Sequence, residues 1–261
     1  MKKDWKYYRL FEILPGLFAW LILIVPIILS IYAPTTIAVA LLFYVTFWLI
    51  RTVIMSSRLI MSYRRYKKDI AIDWLELAQK HQNFNNIYHL VIVPTYKEDI
   101  EILRSSLNSV VRSNYPKDKI IYVLATEERD KERANEYAKI LKNENISELG
   151  DFISIMHPKD IEGEVIGKGP NISFSGRKMA LYFAEKNIDP KNIIVTTMDA
   201  DNLMDKNYLP CLTEKYLEDP DPVHKSFQPL PMYFNNIWDV PMAMRLIAMG
   251  SSFWQMIVAT R

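Results

Sequence analysis

The first fifty residues differ from the rest of the chain in their pattern of apolar and polar positions. Residues 13–50 contain no Asp, Glu, Lys or Arg. One helix over this run would be about 57 Å long at about 1.5 Å per residue, whereas the hydrocarbon core of a bilayer is only about 30 Å thick. The run therefore predicts two membrane-spanning helices, at roughly 13–32 and from 36 to beyond Arg51, joined by a turn at residues 33–36.

A cleaved signal peptide is the alternative interpretation of an N-terminal apolar run. Its apolar core is about 7–15 residues long and is followed by a cleavage site of small residues. The run in this chain is much longer and has a second half. We therefore expect a membrane-spanning helical hairpin over residues 1–62.

Basic residues flank the apolar run on both sides, and the predicted turn has none. They are Lys2, Lys3, Lys6 and Arg9 before the run, and Arg58, Arg64, Arg65, Lys67 and Lys68 after its second half. Because the cytoplasmic flanks of membrane helices are rich in Lys and Arg, both ends of the hairpin and the rest of the chain are predicted to be cytoplasmic. The location expected is the cell membrane, with more than one span.

The basic cluster at 64–68 could in principle contact nucleic acid. Beside a membrane span, it is more typical of a segment that binds lipid headgroups. Membrane lipid is therefore an expected partner and nucleic acid is not, and the formal net charge of +2 adds nothing further. Residues 66–82 place apolar side chains among charges, which predicts an amphipathic helix within an interfacial or linking segment, 63–86.

From residue 87 onward, short apolar runs alternate with helical patterns. The predicted strands are 87–94, 119–126, 151–156 and 192–198, and the helical patterns between them are 99–114, 127–145 and 175–187. This alternation predicts an α/β domain over 87–261 with a mostly parallel sheet. Ligands of such sheets bind beyond the carboxyl ends of the strands.

Cys211 is the single cysteine, so no intrachain disulfide can form. It follows Pro210 inside an apolar stretch with helical character. A packed core thiol is a better interpretation of Cys211 than a catalytic nucleophile.

Two aspartates, Asp199 and Asp201, follow the last predicted strand. In an extended segment, this spacing points both side chains to the same side. Carboxylates can hold Mg²⁺ or Mn²⁺, hard cations that take oxygen ligands and bridge to phosphate. The alternative is a solvated turn; the strand before the pair and a lysine loop upstream favour the metal site.

Polar segments also follow the first two predicted strands. Residues 93–99 supply hydroxyls and carboxylates, although Asp and Glu are also common in the first turn of a helix. In the segment 125–130, Glu127 or Glu128 could accept hydrogen bonds from a base or a ribose, although acidic helix starts are common here too.

Residues 163–178 are predicted to form a glycine-containing loop that carries Lys168, a compact cation of the kind that binds phosphate. The spacing is not that of a Walker loop. The alternative is a flexible loop with a solvated lysine.

These motifs resemble those of membrane-embedded family 2 glycosyltransferases, the GT-A class that includes cellulose and hyaluronan synthases. The matching stretches are VPTYKE (93–98), VLATEE (123–128), GKGPN (167–171) and DAD (199–201), in the family's order and behind a pair of spans. The resemblance covers about residues 87–261. It implies a GT-A (Rossmann-like) sheet with helices on both faces, and inverting transfer of a sugar from a nucleotide sugar to a polysaccharide or lipid-linked glycan.

The resemblance also implies roles for individual residues. Those matching the nucleoside pocket are Pro94, Thr95, Tyr96, Glu98 and Glu127. Those matching the sugar-diphosphate and metal site are Lys168, Asn171, Asp199 and Asp201, with Mg²⁺ or Mn²⁺ on the two aspartates. Gln228 and Asn235, in the segment 227–238, would approach the sugar and acceptor. Glu127 stands where many relatives have aspartate, and this departure leaves the identity of the base open. The expected donor is a nucleotide sugar, with a UDP-sugar favoured and a GDP-sugar possible.

One part of the family pattern is missing. Relatives place a catalytic-base aspartate well after the metal motif, and processive members add Gln-x-x-Arg-Trp. After Asp221 the only acidic residue is Asp239, and that motif is absent. The expectation is a chain truncated at the acceptor side, with its base beyond Arg261. The alternatives are a non-catalytic nucleotide-binding subunit of a synthase complex and a nucleotidyltransferase.

Overall fold

The computed structural model describes residues 5–145, 148–165, 167–235 and 237–259. The helices are α1 (Trp5–Tyr32), α2 (Pro34–Asp69), α3 (Trp74–Ala78), α4 (Ile100–Val111), α5 (Lys131–Asn145), α6 (Lys168–Glu185), α7 (Tyr208–Glu218) and α8 (Met242–Val258), and the strands are β1 (Tyr88–Pro94), β2 (Ile120–Glu127), β3 (Asp151–His157) and β4 (Ile193–Thr197). The chain forms two compact units. One contains the described residues up to Arg65 together with those from Phe253, and the other is Tyr66–Ser252.

The first unit contains the two predicted apolar helices. Both are long and apolar enough to cross a membrane, and the most apolar window of each contains no buried residue. The predicted turn over residues 33–36 is wrong, because only Ala33 lies outside a helix. Its N–H donates to the Leu29 carbonyl at 2.8 Å, and its carbonyl accepts from the Ile37 N–H at 3.2 Å. The hairpin arrangement stays a prediction, and Lys2 and Lys3 lie outside the described residues.

The predicted single helix over residues 66–82 is also wrong. It is divided because Asp73 caps a new, short helix, its carboxylate accepting a hydrogen bond from the Glu76 N–H at 3.0 Å. The Trp74 indole then donates to the Asp69 carbonyl at 2.8 Å. Trp74 and Ala78 are buried in the second unit, so some of the apolar side chains of residues 66–82 belong to its core.

The second unit is built on a four-stranded sheet in the order β3-β2-β1-β4, with all neighbours parallel. Alternate side chains of β1 pack on opposite faces. Val91 and Val93 join the core beneath α4, α5 and α7, whereas Leu90 and Ile92 join the core beneath α6. The predicted α/β class, with a mostly parallel sheet, helices on both faces and two preceding apolar helices, is confirmed.

The strand order defines where a ligand would bind. The chain proceeds from β1 outward to β2 and β3, and then returns to place β4 on the other side of β1. This order matches the first four strands of a doubly wound fold, in which ligands bind at the carboxyl edge where the winding reverses. In this chain the reversal lies between β1 and β4.

His89 ties β1 to α7 inside the core. Its side chain is fully buried, its Nε2 shares a hydrogen bond of 2.7 Å with the Thr213 hydroxyl, and its ring contacts Tyr115 edge-on. Burial lowers the pKa of His89 to about 3. The folded protein therefore holds this imidazole neutral through the mildly acidic range.

This burial makes the stability of the second unit depend on pH. Below about pH 6.5, the unfolded chain protonates His89 while the folded chain does not, so stability falls by up to about 1.4 kcal/mol per pH unit. We expect His89→Gln to show a shallower loss of stability between pH 6 and pH 4.5, measured by urea unfolding in detergent. Equal slopes for the variant and the wild type would contradict this assignment.

Candidate functional site

Three of the predicted site segments meet at the carboxyl edge of the sheet. Backbone hydrogen bonds continue the strand pairing past the strand ends: the Thr95 N–H donates to the Ala125 carbonyl at 2.9 Å, and the Met198 N–H donates to the Ile92 carbonyl at 3.2 Å. The loop after β1 therefore lies beside the end of β2, and the start of the aspartate motif lies beside the end of β1.

The loop after β1 is organised around the Glu98 carboxylate. One carboxylate oxygen, Oε2, accepts from the Thr95 hydroxyl at 2.8 Å and from the Tyr96 N–H. Lys97 has a φ of 68°, in the left-handed region, and this turns the chain so that Glu98 reaches back. This oxygen of Glu98 therefore holds the loop in its turn. The Asp99 carboxylate makes no capping hydrogen bond to α4.

At the end of β2, Glu127 and Glu128 have different hydrogen-bond partners. Glu127 is buried, and its Oε2 accepts from the Arg129 Nε at 2.8 Å and from the same guanidinium's Nη2. The Arg129 guanidinium lies over the Tyr96 ring, 4.2 Å from its centroid. Glu128 instead accepts from the Lys159 N–H at 3.0 Å. Sequence reasoning missed Arg129, and its only signal is its place two residues after Glu127.

The predicted loop over residues 163–178 is wrong from Lys168 onward, because α6 begins there and not near residue 175, where the helical pattern predicts its start. Asn171, in the first turn, is buried and donates from Nδ2 to the Ala125 carbonyl at 2.9 Å. Among the described residues its Oδ1 has no partner. The start of α6 is thereby fixed against the end of β2, and the N-terminus of a helix favours negative charge.

Lys168 and Asp199 form an ion pair at this edge. The Lys168 ammonium donates to the Asp199 Oδ1 at 2.8 Å, and both side chains are more than half exposed. The hydrogen bond to Asp199 raises the pKa of Lys168, and the negative charges of Glu98 and Asp201 raise it further. The Lys168 ammonium therefore lies in the electrostatic field of three carboxylates, which come from two separate loops.

The aspartate motif is a turn and not the extended segment that the sequence predicts. The Asn202 N–H donates to the Asp199 carbonyl at 3.0 Å, and Ala200 is buried between the two exposed aspartates. Asn235 joins this turn by donating from Nδ2 to the Asp201 carbonyl at 3.0 Å. Gln228 is exposed in an irregular segment, and no hydrogen bond within the described ranges joins it to the other candidates.

The residues present fit a hard divalent cation in ligand type but are few in number. Asp199 and Asp201 offer carboxylate oxygens, which Mg²⁺ and Mn²⁺ prefer. In the part of the chain that the structure describes, no group of three or more His, Cys, Asp and Glu side chains could hold a metal ion. A cation at this turn would therefore need oxygen ligands beyond these two carboxylates.

Two other features lie outside this site. Burial raises the pKa of the Cys211 thiol to about 11, which disfavours the thiolate that a nucleophile requires. An open groove of about 480 Å³ lies between β3 and α6, lined by side chains such as Ile155, Phe174 and Tyr182. None of the predicted site residues lines this groove.

No protein-family model matches this chain, and no curated protein matches it in sequence. Solved structures that resemble it include the mannosyltransferase PcManGT from Pyrobaculum calidifontis in complex with GDP-Man and Mn²⁺, at 21% identity over 65% of this chain and 42% of that chain, with a TM-score of 0.34. Another is S. aureus TarS 1-349, at 20% identity over 56% of this chain and 40% of that chain, with a TM-score of 0.32. This chain therefore spans about two fifths of each of those chains. Similarities this distant do not establish a function, which has to be inferred from the site residues.

The Glu98 contacts generate a local prediction. In Glu98→Ala, the Tyr96 N–H loses its charged acceptor, a contact of a kind that contributes about 1.5–3 kcal/mol. Hydrogen exchange in a peptide covering residues 94–99 should become about tenfold faster or more. The matched control is Glu101→Ala, which removes a carboxylate that is mostly exposed on α4. Unchanged exchange in Glu98→Ala would show that Glu98 does not hold this loop.

Proposed function

We propose that this chain binds a nucleotide sugar together with Mg²⁺ or Mn²⁺ and forms the donor site of a glycosyltransferase. The observation that carries the proposal is the ion pair between Lys168 and Asp199, beside Asp201, at the edge where the winding of the sheet reverses. A nucleotide sugar has an aromatic base and a diphosphate, and this edge offers an aromatic ring, a buried carboxylate, a lysine and two exposed aspartates.

Each group at this edge has a role in the proposal. Asp199 and Asp201 hold the cation, which when bound neutralises charge on the diphosphate leaving group. Lys168 leaves Asp199 and donates hydrogen bonds to phosphate oxygens, beside the N-terminus of α6. Tyr96 and Glu127 contact the base or ribose. Together these residues bind the donor and favour departure of the nucleoside diphosphate.

The rest of the proposed activity comes from the family resemblance and from the apolar helices. The acceptor would be a growing polysaccharide or a lipid-linked glycan, and transfer of a hexose would invert the anomeric configuration. α1 and α2 would hold the second unit at the cytoplasmic face of the cell membrane. A non-catalytic nucleotide-binding subunit would share the donor site, and sugar turnover in addition to binding separates it from a transferase.

The donor site is tested by ligand-dependent stability. In detergent, Mn²⁺ with a nucleoside diphosphate should raise the apparent stability of the wild type, by about 2.7 kcal/mol at a hundredfold excess over the dissociation constant. Asp201→Ala should lose this shift. Asp118→Ala, which removes an exposed carboxylate before β2 and hence at the opposite edge, should keep it. A Mn²⁺-dependent shift that survives in Asp201→Ala would rule out this metal assignment.

The ion pair leads to a second prediction: replacing Lys168 should have opposite effects on the binding of Mn²⁺ alone and of Mn²⁺ with UDP. Because Lys168 competes with a cation for Asp199, Lys168→Met should bind Mn²⁺ alone more tightly than the wild type does. The same variant should bind Mn²⁺ with UDP more weakly, because a phosphate-binding cation is lost. Free Mn²⁺ can be titrated by electron paramagnetic resonance, with Lys178→Met on α6 as the control. Weaker binding of Mn²⁺ alone would contradict the competition.

A further inference from the structure

Arg129 joins two parts of the proposed nucleoside site. Its guanidinium donates two N–H groups to the Glu127 carboxylate at the end of β2, and its plane lies over the Tyr96 ring in the loop after β1. The two loops thus share one planar cation. Arg129 matches none of the motifs that led to the donor-site residues, and neither Glu127 nor Tyr96 makes an equivalent contact with another described arginine.

Glu127 depends on this arginine because its carboxylate is largely removed from water. The side chain of Glu127 is 10% exposed, whereas that of Arg129 is 30% exposed. A buried carboxylate without a partner is costly, and the guanidinium compensates its charge by donating two N–H groups to one of its oxygens. Arg129 therefore anchors the Oε2 oxygen of Glu127 at the sheet edge.

The geometry leaves a defined set of groups for a ligand. Both Arg129 donors go to the same oxygen, Oε2, so Oε1 is the Glu127 oxygen that no described group occupies. In the alternation of β2, Glu127 shares a face with Ala125, which packs beneath α6, the helix that carries Lys168. Glu127 thus offers one acceptor oxygen on the same face of the sheet as the proposed diphosphate site.

Uracil and guanine would form different hydrogen bonds with a single acceptor oxygen of Glu127. Uracil has a single ring N–H between two carbonyls, which matches one acceptor oxygen. Guanine has two adjacent N–H donors, which pair best with both oxygens of a carboxylate. Binding guanine in that way would require Glu127 to give up its contact with Arg129.

We propose that Arg129 is a positioning residue that holds Tyr96 and Glu127 as one nucleoside platform and thereby selects a uracil nucleotide over a guanine nucleotide. The inference rests on the proposed donor site and adds to it the class of base. Lysine cannot replace Arg129, because an ammonium lacks the planar pair of donors and stacks less well on an aromatic ring.

The test is calorimetric binding of UDP, GDP and pyrophosphate to the full chain in detergent with Mn²⁺. The wild type should bind UDP at least about tenfold more tightly than GDP, and Arg129→Gln should lose most of this ratio. Arg129→Lys should lose selectivity as well, although it keeps the charge. Pyrophosphate affinity should stay the same in both variants, because this ligand has no base.

Arg104→Gln is the matched control. Arg104 makes a paired contact of the same kind, donating from Nε and Nη2 to Glu144, and its exposed fraction of 28% is close to the 30% of Arg129. It belongs to α4, which packs on the opposite face of the sheet. The UDP to GDP ratio should stay at the wild-type value in this variant.

Different failures have different meanings. If the wild type binds Mn²⁺ with pyrophosphate but its UDP to GDP ratio is near one, or the ratio is unchanged in Arg129→Gln, the inference about Arg129 is wrong and the metal–diphosphate site stands. If the wild type binds none of the three ligands, the proposed function fails as well. If Arg129→Gln does not melt cooperatively, Glu127→Gln replaces it, with the same expected loss of selectivity.

Discussion

The parallel pairing of β1 with both of its neighbours is the constraint on which the rest of the structure depends. Because β2 and β4 run in the same direction as β1, the segments that follow the three strands emerge at one edge. The apolar side chains of β1 are buried on both faces, so its register cannot shift without exposing them. The loops that carry Tyr96, Glu127 and Asp199 are therefore held at a common edge by the core.

Two ion pairs at this edge differ in burial, and hence in how readily a ligand can exchange them. The pair of Lys168 and Asp199 is exposed, and exposed pairs of this kind contribute about 0–1 kcal/mol to stability. A cation and a phosphate can therefore replace it at little cost. In the pair of Arg129 and Glu127 the carboxylate is largely buried, so removing its partner is costly. In our account the exposed pair yields to the diphosphate, while the buried pair remains and contacts the base.

The strands, and the sheet edge at which the candidate segments meet, could be predicted from the sequence, because they depend on patterns that are local in the chain. The β-branched runs end within a residue or two of the observed strands, since such runs suit the interior of a parallel sheet. The predictions of helix boundaries were wrong where single side chains determine the backbone conformation. Asp73 divides the predicted helix over 66–82, and α6 begins at Lys168 despite Gly169 and Pro170 in its first turn, where proline is tolerated. The role of Arg129 depends on contacts between two loops, which no local pattern encodes.

The account depends most directly on whether one cation contacts the protein and a diphosphate together. Pulsed electron–nuclear double resonance of Mn²⁺ with UDP and the full chain would measure this. We predict a spectrum with hyperfine coupling to phosphorus that differs from that of Mn²⁺ and UDP in buffer, whereas the same mixture made with Asp201→Ala gives the buffer spectrum. A protein-bound Mn²⁺ without phosphorus coupling, or a spectrum identical to that of Mn²⁺ and UDP in buffer, would contradict the account.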